Sequence, residues 1–327
     1  MKMDFRTHIV IPESDISINH STSMMLFGSC FSEHIGSKLL QHKFKVDVNP
    51  FGILYNPFSV SRAIRRLLSA ESFSAADLVF NNELYHSPMH HGHFSATDKE
   101  VCLQNISSRF DQAVSFIGQT DLFLITFGSA YAYQWRESGE IAGNCHKFPA
   151  DRFRRLRLSV EEIVEEWVEV ITLLTVINPT AKLLFTVSPV RHWKDGAHEN
   201  QISKSILHLA IDALQERFRE RISYFPAYEV MMDELRDYRF YNEDMIHPSP
   251  LAVDYIWNCF SETYFSAATQ RVNDEWAQIR RALEHRPLHP GTESYRLFTE
   301  GTAQKLAAFA RRYPEISCEE ERRLLSV

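Results

Sequence analysis

Two short motifs carry the side chains best suited to nucleophilic chemistry. Gly28-Ser29-Cys30 places a hydroxyl beside a thiol, and Asp244-x-x-His247 places a carboxylate three residues before an imidazole. A nucleophile needs a base within hydrogen-bond reach, and the base needs a third group that fixes its tautomer. The residue types therefore predict covalent catalysis, with residue 29 or 30 as nucleophile, His247 as base and Asp244 as the group that orients it.

A strand and a helix must position the first motif. Met24 to Phe27 is an apolar run too short for a helix and is followed by Gly28, which predicts a buried parallel strand that ends there. A helix should follow at once, because apolar residues recur at helical spacing at Phe31, Ile35, Leu39 and Leu40.

The junction between this strand and this helix favours an anion. The first N–H groups of a helix have no partner within it, and the helix dipole stabilises negative charge there. A thiolate or an oxyanion at residue 29 or 30 would gain from both effects. A purely structural interpretation stays open, in which Ser29 or Ser32 caps the helix and Cys30 is a small buried apolar residue.

Strands and helices alternate along residues 24 to 260. Further strands are predicted at 45–48, 122–127, 182–187 and 222–225, and further helices at 59–68, 95–118, 159–178, 200–219 and 251–260. This alternation predicts an α/β fold, a doubly wound parallel sheet with helices on both faces. The second motif lies in a turn closed by Pro248 and Pro250, just before the last of these helices.

The two motifs together resemble the SGNH (GDSL-type) hydrolase superfamily. Gly28-Ser29-Cys30-Phe31 more closely resembles the signature of the GSCFA-domain family within it, and the resemblance covers roughly residues 20 to 265. It implies a flavodoxin-like three-layer fold. It also implies an acyl-ester hydrolase or acyltransferase that forms a covalent acyl-enzyme without a cofactor and acts on a small-molecule or carbohydrate-linked (glycan) ester.

The resemblance ranks the two nucleophile candidates. Alignment with Gly-Asp-Ser places Cys30 on the nucleophilic serine, and a shift of one residue makes Ser29 the nucleophile instead. A thiol at a helix start and near an imidazole is expected to have a lowered pKa and to be nucleophilic at neutral pH.

Three residues are candidates for holding the oxyanion or the substrate. The resemblance implies that Gly52, in the loop after the second strand, lends its backbone N–H, although a structural Pro-Gly turn is the alternative. Gly128 opens the third block of the superfamily, where Ala130 or Tyr131 stands in place of the usual asparagine. Asn144 is a candidate to supply the missing amide, and its alternative role is that of a turn former.

Two further clusters are candidates for ligand contacts. Arg191 and His192 follow the strand at 182–187 and are predicted specificity residues, the alternative being a surface loop anchored by Trp193. A histidine-rich loop offers a metal site, and hence a metal-dependent hydrolase, as a minor alternative, although its spacing matches no compact zinc motif. That loop contains His86, His90, His91 and His93.

Composition limits the remaining function classes. The 327 residues carry a formal net charge of −7 and are 44% hydrophobic, which indicates a globular chain with no nucleic-acid surface. The basic run at 152–157 is expected to be a solvated helix face or a loop. Five cysteines without a Cys-x-x-Cys pair argue against a disulfide framework. No apolar segment approaches the length of a membrane span, so the cytoplasm is the expected compartment.

The chain divides by composition near residue 270. Residues 1–269 are predicted to form the catalytic domain, and residues 270–327 a helical extension that packs on it and that could support a homodimer. A catalytically degenerate ligand-binding protein on the same fold is the main functional alternative, since the third-block asparagine is absent.

Overall fold

A parallel sheet forms the centre of the molecule. The computed structural model describes residues 6–325. Within that range the strands are β1 (Met24–Gly28), β2 (Val46–Val48), β3 (Val79–Asn81), β4 (Leu84–His86), β5 (Leu122–Phe127), β6 (Tyr131–Trp135), β7 (Phe153–Arg157), β8 (Lys182–Val187) and β9 (Ile222–Tyr224). Five of them pair in parallel in the order β2-β1-β5-β8-β9.

Helices connect the strands and cover the sheet. They are α1 (Cys30–Gln41), α2 (Pro57–Ser69), α3 (Lys99–Ile117), α4 (Val160–Ile177), α5 (Gly196–Arg217), α6 (Ala227–Glu229), α7 (Pro250–Tyr264), α8 (Ala267–Leu283), α9 (Glu293–Arg312) and α10 (Glu319–Leu325). In the described part of the chain, no helix is both long and apolar enough to cross a membrane.

The two faces of the sheet bury different helices. Successive side chains of a strand point to opposite faces. Met25 and Phe27 of β1 join a core with residues of α2, α3, α4 and α5, and Met24 and Leu26 join a second core with residues of α1 and α7. The sheet is therefore doubly wound, as predicted. Its five strands follow the flavodoxin-like order when they are counted along the chain.

Two antiparallel hairpins lie outside this sheet, β3 with β4 and β6 with β7. The second hairpin corrects the interpretation of the basic run at 152–157, because most of that run is strand β7 and neither helix nor loop. Alternation explains the difference. Phe153 packs in a small cluster with Trp135, while Arg154, on the opposite face of the strand, is exposed.

The helices after residue 266 pack around a small core of their own. Trp276, Ile279, Leu306 and Phe309 are its buried members from α8 and α9. The Trp276 indole donates a hydrogen bond of 2.8 Å to the Gln41 carbonyl at the end of α1. Helices predicted at 272–285 and 296–312 are present with shifted ends, whereas the domain boundary at 269/270 stays a prediction.

Strand register brings three chain segments to one edge of the sheet. Gly28 of β1 pairs with Thr126 of β5, and Thr126 pairs with Thr186 of β8. Since the strands are parallel, the residues that follow them emerge side by side at the carboxyl edge, where open α/β sheets bind ligands.

Candidate active site

A pocket of about 470 Å³ opens at this carboxyl edge. Segments that follow β1, β5 and β8 line its floor, and the loop at 142–145 and the turn before α7 line its walls. The residues on which the site's chemistry depends include Ser29, Cys30, Asn144, Arg191, His192 and His247. The structure thus brings together six of the nine predicted site residues.

The turn after β1 separates Ser29 from Cys30. Gly28 has a φ of +138°, and a Cβ at this position would lie 2.2 Å from the Thr126 carbonyl oxygen, so only glycine fits. Ser29 is the N-cap of α1 and is 1% exposed; its Oγ accepts from the Phe31 N–H and donates to Ser188 Oγ at 3.1 Å. Cys30 is the first helical residue and is only partly buried.

The environment of Cys30 corrects the expectation of an activated thiol. Burial raises the pKa of this thiol above its ordinary value, and the carboxylate of Glu33 raises it further. The backbone N–H groups of Phe31 and Cys30 and the ammonium of Lys204 lower the pKa, but burial outweighs them. Without a ligand the group is therefore a thiol at neutral pH, and it requires a base.

The second motif forms as predicted. Asp244 Oδ2 lies 2.5 Å from His247 Nδ1, and Asp244 Oδ1 accepts from the backbone N–H groups of Ile246 and His247, both at 2.9 Å. These hydrogen bonds lower the pKa of Asp244 to about 2, with the backbone N–H of His247 as the largest cause. The carboxylate therefore fixes the imidazole, which leaves Nε2 for the pocket that His247 lines.

Gly52 does not reach the pocket, which corrects its assignment as an oxyanion donor. Its N–H donates to the Asn49 carbonyl at 2.7 Å and closes a tight turn in which its φ is +75°. A Cβ here would lie 2.4 Å from Cβ of His91, so the glycine serves close packing. The structural alternative, a Pro-Gly turn, describes this position.

Gly128 likewise packs and does not line the pocket. Its N–H donates to the Tyr55 carbonyl, and a Cβ on it would meet Tyr55 and His192 at 3.0 to 3.4 Å. Asn144 does line the pocket. Its Oδ1 accepts from the His146 N–H at 2.8 Å, so the side chain forms a turn while the hydrogen bond fixes its amide plane. The turn-forming role of Asn144 describes this geometry, and its role as an amide donor to the substrate stays a prediction.

Cationic side chains dominate the pocket wall after β8. Arg191 is partly buried, and its Nε contacts Met232 Sδ at 3.3 Å with no carboxylate partner among the described residues. Lys194 is exposed and also unpaired in that part of the chain, whereas Arg155 forms an ion pair with Asp195. The pocket therefore carries more positive than negative charge, although the whole chain is acidic.

His192 is a half-buried neutral base. Burial lowers its pKa to about 4, with a further contribution from the Lys204 ammonium. Its backbone N–H donates to Asn200 Oδ1 at 2.9 Å, and its ring packs edge-on against Tyr55 at 5.5 Å. These contacts hold the imidazole at the pocket floor, where it is uncharged at neutral pH.

The histidine-rich loop does not form a metal site. His86 bonds to Ser95 Oγ, and His90 bonds to Ser87 Oγ and stacks on Phe51, so these two rings are committed to separate structural contacts. Burial lowers the pKa of His90 to about 3. Across residues 6–325, no three side chains from His, Cys, Asp or Glu are grouped as a metal would require. The loop packs against the Gly52 turn and behind the loop at 142–145, and none of its four histidines lines the pocket.

One face of α5 holds the pocket floor together, which was not predicted from the sequence. Asn200, Ser203 and Lys204 share this face. Ser203 Oγ accepts from the Ala130 N–H at 2.8 Å, and Lys204 Nζ donates to the carbonyls of Gly128 (2.7 Å) and Ser188 (2.8 Å). The available signal was polar residues on the stripe that continues with buried Leu207, Ile211 and Leu214.

Comparison with known proteins gives one strong match. The sequence matches the model of the GSCFA family over residues 23–260 and that of the GSCFA domain protein, C-terminal domain, over residues 276–326. No curated protein matches it.

Two solved structures are similar at low identity. One is an acetyl xylan esterase, Est2A, from the rumen bacterium Butyrivibrio proteoclasticus, with 12% identity, a TM-score of 0.39, and coverage of 74% of this chain and 63% of that chain. The chain therefore spans less than two thirds of that esterase. The other is a carbohydrate esterase family 3 protein from Talaromyces cellulolyticus, with 8% identity, a TM-score of 0.35, and coverage of 77% and 99%.

Proposed function

The chain belongs to the GSCFA family, and from the geometry of its pocket we propose that it is an ester hydrolase or acyltransferase with Cys30 as nucleophile. The observation that carries this proposal is the convergence of Cys30 and the Asp244-oriented His247 on one pocket at the carboxyl edge of the sheet. Ser29 is a poor nucleophile by comparison, because its hydroxyl is buried and bonded on both sides.

The reaction begins with a proton transfer. His247 Nε2 takes the proton of the Cys30 thiol as Sγ attacks the carbonyl carbon of the ester, and Asp244 stabilises the imidazolium that forms. The tetrahedral intermediate then collapses, the C–O bond breaks, and the leaving alcohol takes the proton from His247. A thioester on Cys30 remains. Water or another hydroxyl attacks it with the same base, which regenerates the thiol.

Two donors are placed to hold the oxyanion. The Cys30 backbone N–H is at the first position of α1, where the helix offers it no acceptor and where the dipole favours negative charge. The amide nitrogen of Asn144 is the second, since its Oδ1 is already engaged and its Nδ2 is left for the pocket. Each such donor typically contributes about 10²- to 10³-fold to the rate.

The pocket sets limits on the substrate. A volume of about 470 Å³ suits a small ester or one sugar-linked acyl group more than a polymer. Arg191 and Lys194 at its wall form no ion pair with any described residue, and they favour an ester that carries an anionic group, because a guanidinium binds carboxylate or phosphate with two parallel hydrogen bonds. A cytoplasmic location and a homodimer through the C-terminal helices remain part of the proposal.

Trapping the acyl-enzyme tests the proposal. Brief exposure to 4-nitrophenyl acetate, followed by acid quench and peptide mapping, is expected to give an acetyl group on Cys30, and none after His247→Ala. Cys145→Ala is the matched control, since Cys145 lines the same pocket and burial raises its pKa to about 11. Acetylation of Ser29 would move the nucleophile one residue upstream, and acetylation that ignores His247 would contradict the mechanism.

A ligand-binding protein without activity is the second candidate. Three observations favour it: the raised pKa of Cys30, the engaged N–H of Gly52 and the absence of the third-block asparagine. The same labelling experiment separates the two functions. A chain that forms no acyl-enzyme, and in which Cys30 is alkylated no faster than Cys145, is better described as a binding protein.

A further inference from the structure

A buried lysine lies beneath the candidate site. Lys204 is 0% exposed, and its Nζ donates to the carbonyl oxygens of Gly128 and Ser188, which follow β5 and β8. No carboxylate among residues 6–325 lies within ion-pair distance of it. Burial of an ammonium group without a counter-ion is unfavourable, because the charged form loses its hydration. Hydrogen bonds to two carbonyl oxygens do not by themselves require a lysine, because a neutral donor could form them without the unfavourable burial of a charge.

The lysine is connected to the nucleophile through one short path. Ser188, whose carbonyl accepts from Lys204, receives the Ser29 hydroxyl on its own Oγ. Ser29 caps the helix on which Cys30 is the first residue. Hydrogen bonds from Lys204 and Ser29 therefore link the segments that follow β1, β5 and β8 beneath Cys30. The ammonium group of Lys204 lies at the centre of this network.

The surroundings of Lys204 contain one group that becomes an anion in the proposed reaction. The charged or titratable groups that act on it or pack against it are Cys30 from α1, Arg191 and His192 from the loop after β8, and Tyr228 from α6, whose ring lies 5.5 Å from Nζ. Arg191 opposes the positive charge of Lys204, whereas the thiolate of Cys30 supports it. Of these four, Cys30 is the group whose negative charge supports the charged lysine, and the Tyr228 ring favours it too through a cation–π contact.

We propose that Lys204 is a positioning residue of the site, which fixes the strand ends below Cys30 and supplies the positive charge that compensates the thiolate and the oxyanion. This inference rests on the proposed function, in which Cys30 carries that negative charge. It explains why a lysine is buried between two neutral carbonyl oxygens with no anionic partner among residues 6–325: the anion forms during the reaction.

Proton linkage supports the same role. Burial lowers the pKa of Lys204 to about 7, so the lysine is partly neutral at rest near neutral pH. A thiolate on Cys30 raises the pKa of Lys204, and a protonated Lys204 lowers the pKa of Cys30, as two coupled groups must. Formation of a thiolate on Cys30 therefore favours protonation of Lys204.

The test is the pH dependence of alkylation at Cys30, read by peptide mapping with iodoacetamide from pH 6 to 10. Lys204→Gln keeps a hydrogen-bond donor and removes the charge, and Lys204→Arg keeps the charge. We expect the glutamine variant to raise the apparent pKa of Cys30 and to slow its alkylation at pH 7.5 roughly three- to tenfold, and the arginine variant to stay within about twofold of wild type. Lys305→Gln, on the exposed face of α9, is the control.

Two outcomes would overturn the inference. One is an unchanged Cys30 titration in a folded Lys204→Gln protein; the other is an equal shift at Cys145, which would indicate general loosening of the pocket. The titration uses no substrate, so a loss of hydrolysis alone would contradict only the proposed function.

Wild-type protein provides a second measurement if Lys204→Gln does not fold. Iodoacetate and iodoacetamide give nearly isosteric adducts on Cys30, one anionic and one neutral. If Lys204 compensates the added carboxylate, the anionic form should melt no lower than the neutral form at pH 7. A melting temperature lower by roughly 3 °C or more in the anionic form would contradict the inference.

Discussion

At the scale of single residues, the carboxylate of Asp244 has one chemical task and two structural ones. Asp244→Asn retains an oxygen for the N–H groups of Ile246 and His247, but it loses the charge that holds His247 Nδ1. We expect kcat/KM for 4-nitrophenyl acetate to fall roughly 10²- to 10⁴-fold. The melting temperature should barely move because the pair is about half exposed. Activity within threefold of wild type would remove Asp244 from the mechanism.

Arg191 is expected to select by charge. Arg191→Gln should reduce kcat/KM for mono-4-nitrophenyl glutarate, which carries a carboxylate, roughly 10- to 100-fold, and that for neutral 4-nitrophenyl butyrate less than threefold. Arg236→Gln is the matched control, since Arg236 lines the neighbouring groove and already contacts Asp233 at 3.3 Å. Equal losses of kcat/KM on both esters would mean that Arg191 supports the shape of the pocket and does not bind the anionic group of the substrate.

The sequence showed which residue types could form the candidate site, but it did not show which of their polar groups are already engaged in the folded protein. Cys30, Asp244 and His247 stand in local motifs, so their assignment needs only spacing. Gly52 was misassigned because the acceptor of its N–H, the Asn49 carbonyl, is a property of the folded turn. The pKa of Cys30 also had the wrong expected direction, since a helix start can be seen in a sequence whereas desolvation cannot.

At the scale of elements, the helix that begins at Cys30 must lie close to β2. A Cβ on Gly36 of α1 would come within 2.6 Å of both methyl groups of Val48. We expect Gly36→Ala to destabilise the protein by about 1 to 3 kcal/mol, as overpacking does.

Gly301 of α9 is the matched control for Gly36. It is also a helical glycine, and no atom lies within 4 Å of its ideal Cβ. Gly301→Ala should stabilise the protein by about 0.5 to 1 kcal/mol. Urea denaturation of both variants checks the contrast, and destabilisation of the same size at both positions would contradict the packing argument.

The sequence predicted some secondary-structure elements accurately and missed others. The strand at 182–187 was predicted with its observed ends, because a buried parallel strand is a nearly continuous apolar run, here Leu183 to Phe185 and Val187. Hairpin β6–β7 was missed because β6 mixes aromatic and polar residues with no clear alternation and β7 is rich in arginine. The polar stripe of α5 was missed for a different reason. Its partners are loop atoms more than 50 residues away or across the sheet edge.

At the scale of the whole molecule, buried neutral histidines link stability to acid. Burial lowers the pKa of His90 to about 3 and that of His146 to about 4. The unfolded chain takes up these protons near pH 6.5 and the folded chain does not, so the stabilisation is complete above pH 6.5 and is lost as the pH falls toward 3. The free energy of unfolding should decline steadily across that range.

His90→Gln isolates the contribution of one ring. We expect the decline between pH 6.5 and 4 to become shallower by up to about 1.4 kcal/mol per pH unit. The variant should also be less stable at pH 7, where the stacking of His90 on Phe51 is lost. His285→Gln, at an exposed position, is the control, and parallel pH profiles for wild type and His90→Gln would contradict the assignment.

The positions of the proposed nucleophile and base predict different rates of amide hydrogen exchange. Cys30 follows a strand in which every residue is buried, whereas Asp244 and His247 lie on an exposed turn. Amides of β1 should exchange with deuterium only through large-scale unfolding, and those of Ile246 and His247 through local opening, orders of magnitude sooner. A ligand that engages both residues should therefore slow exchange in the turn and leave β1 unchanged. The proposed nucleophile and base thus lie in parts of the molecule whose amides are expected to exchange at very different rates.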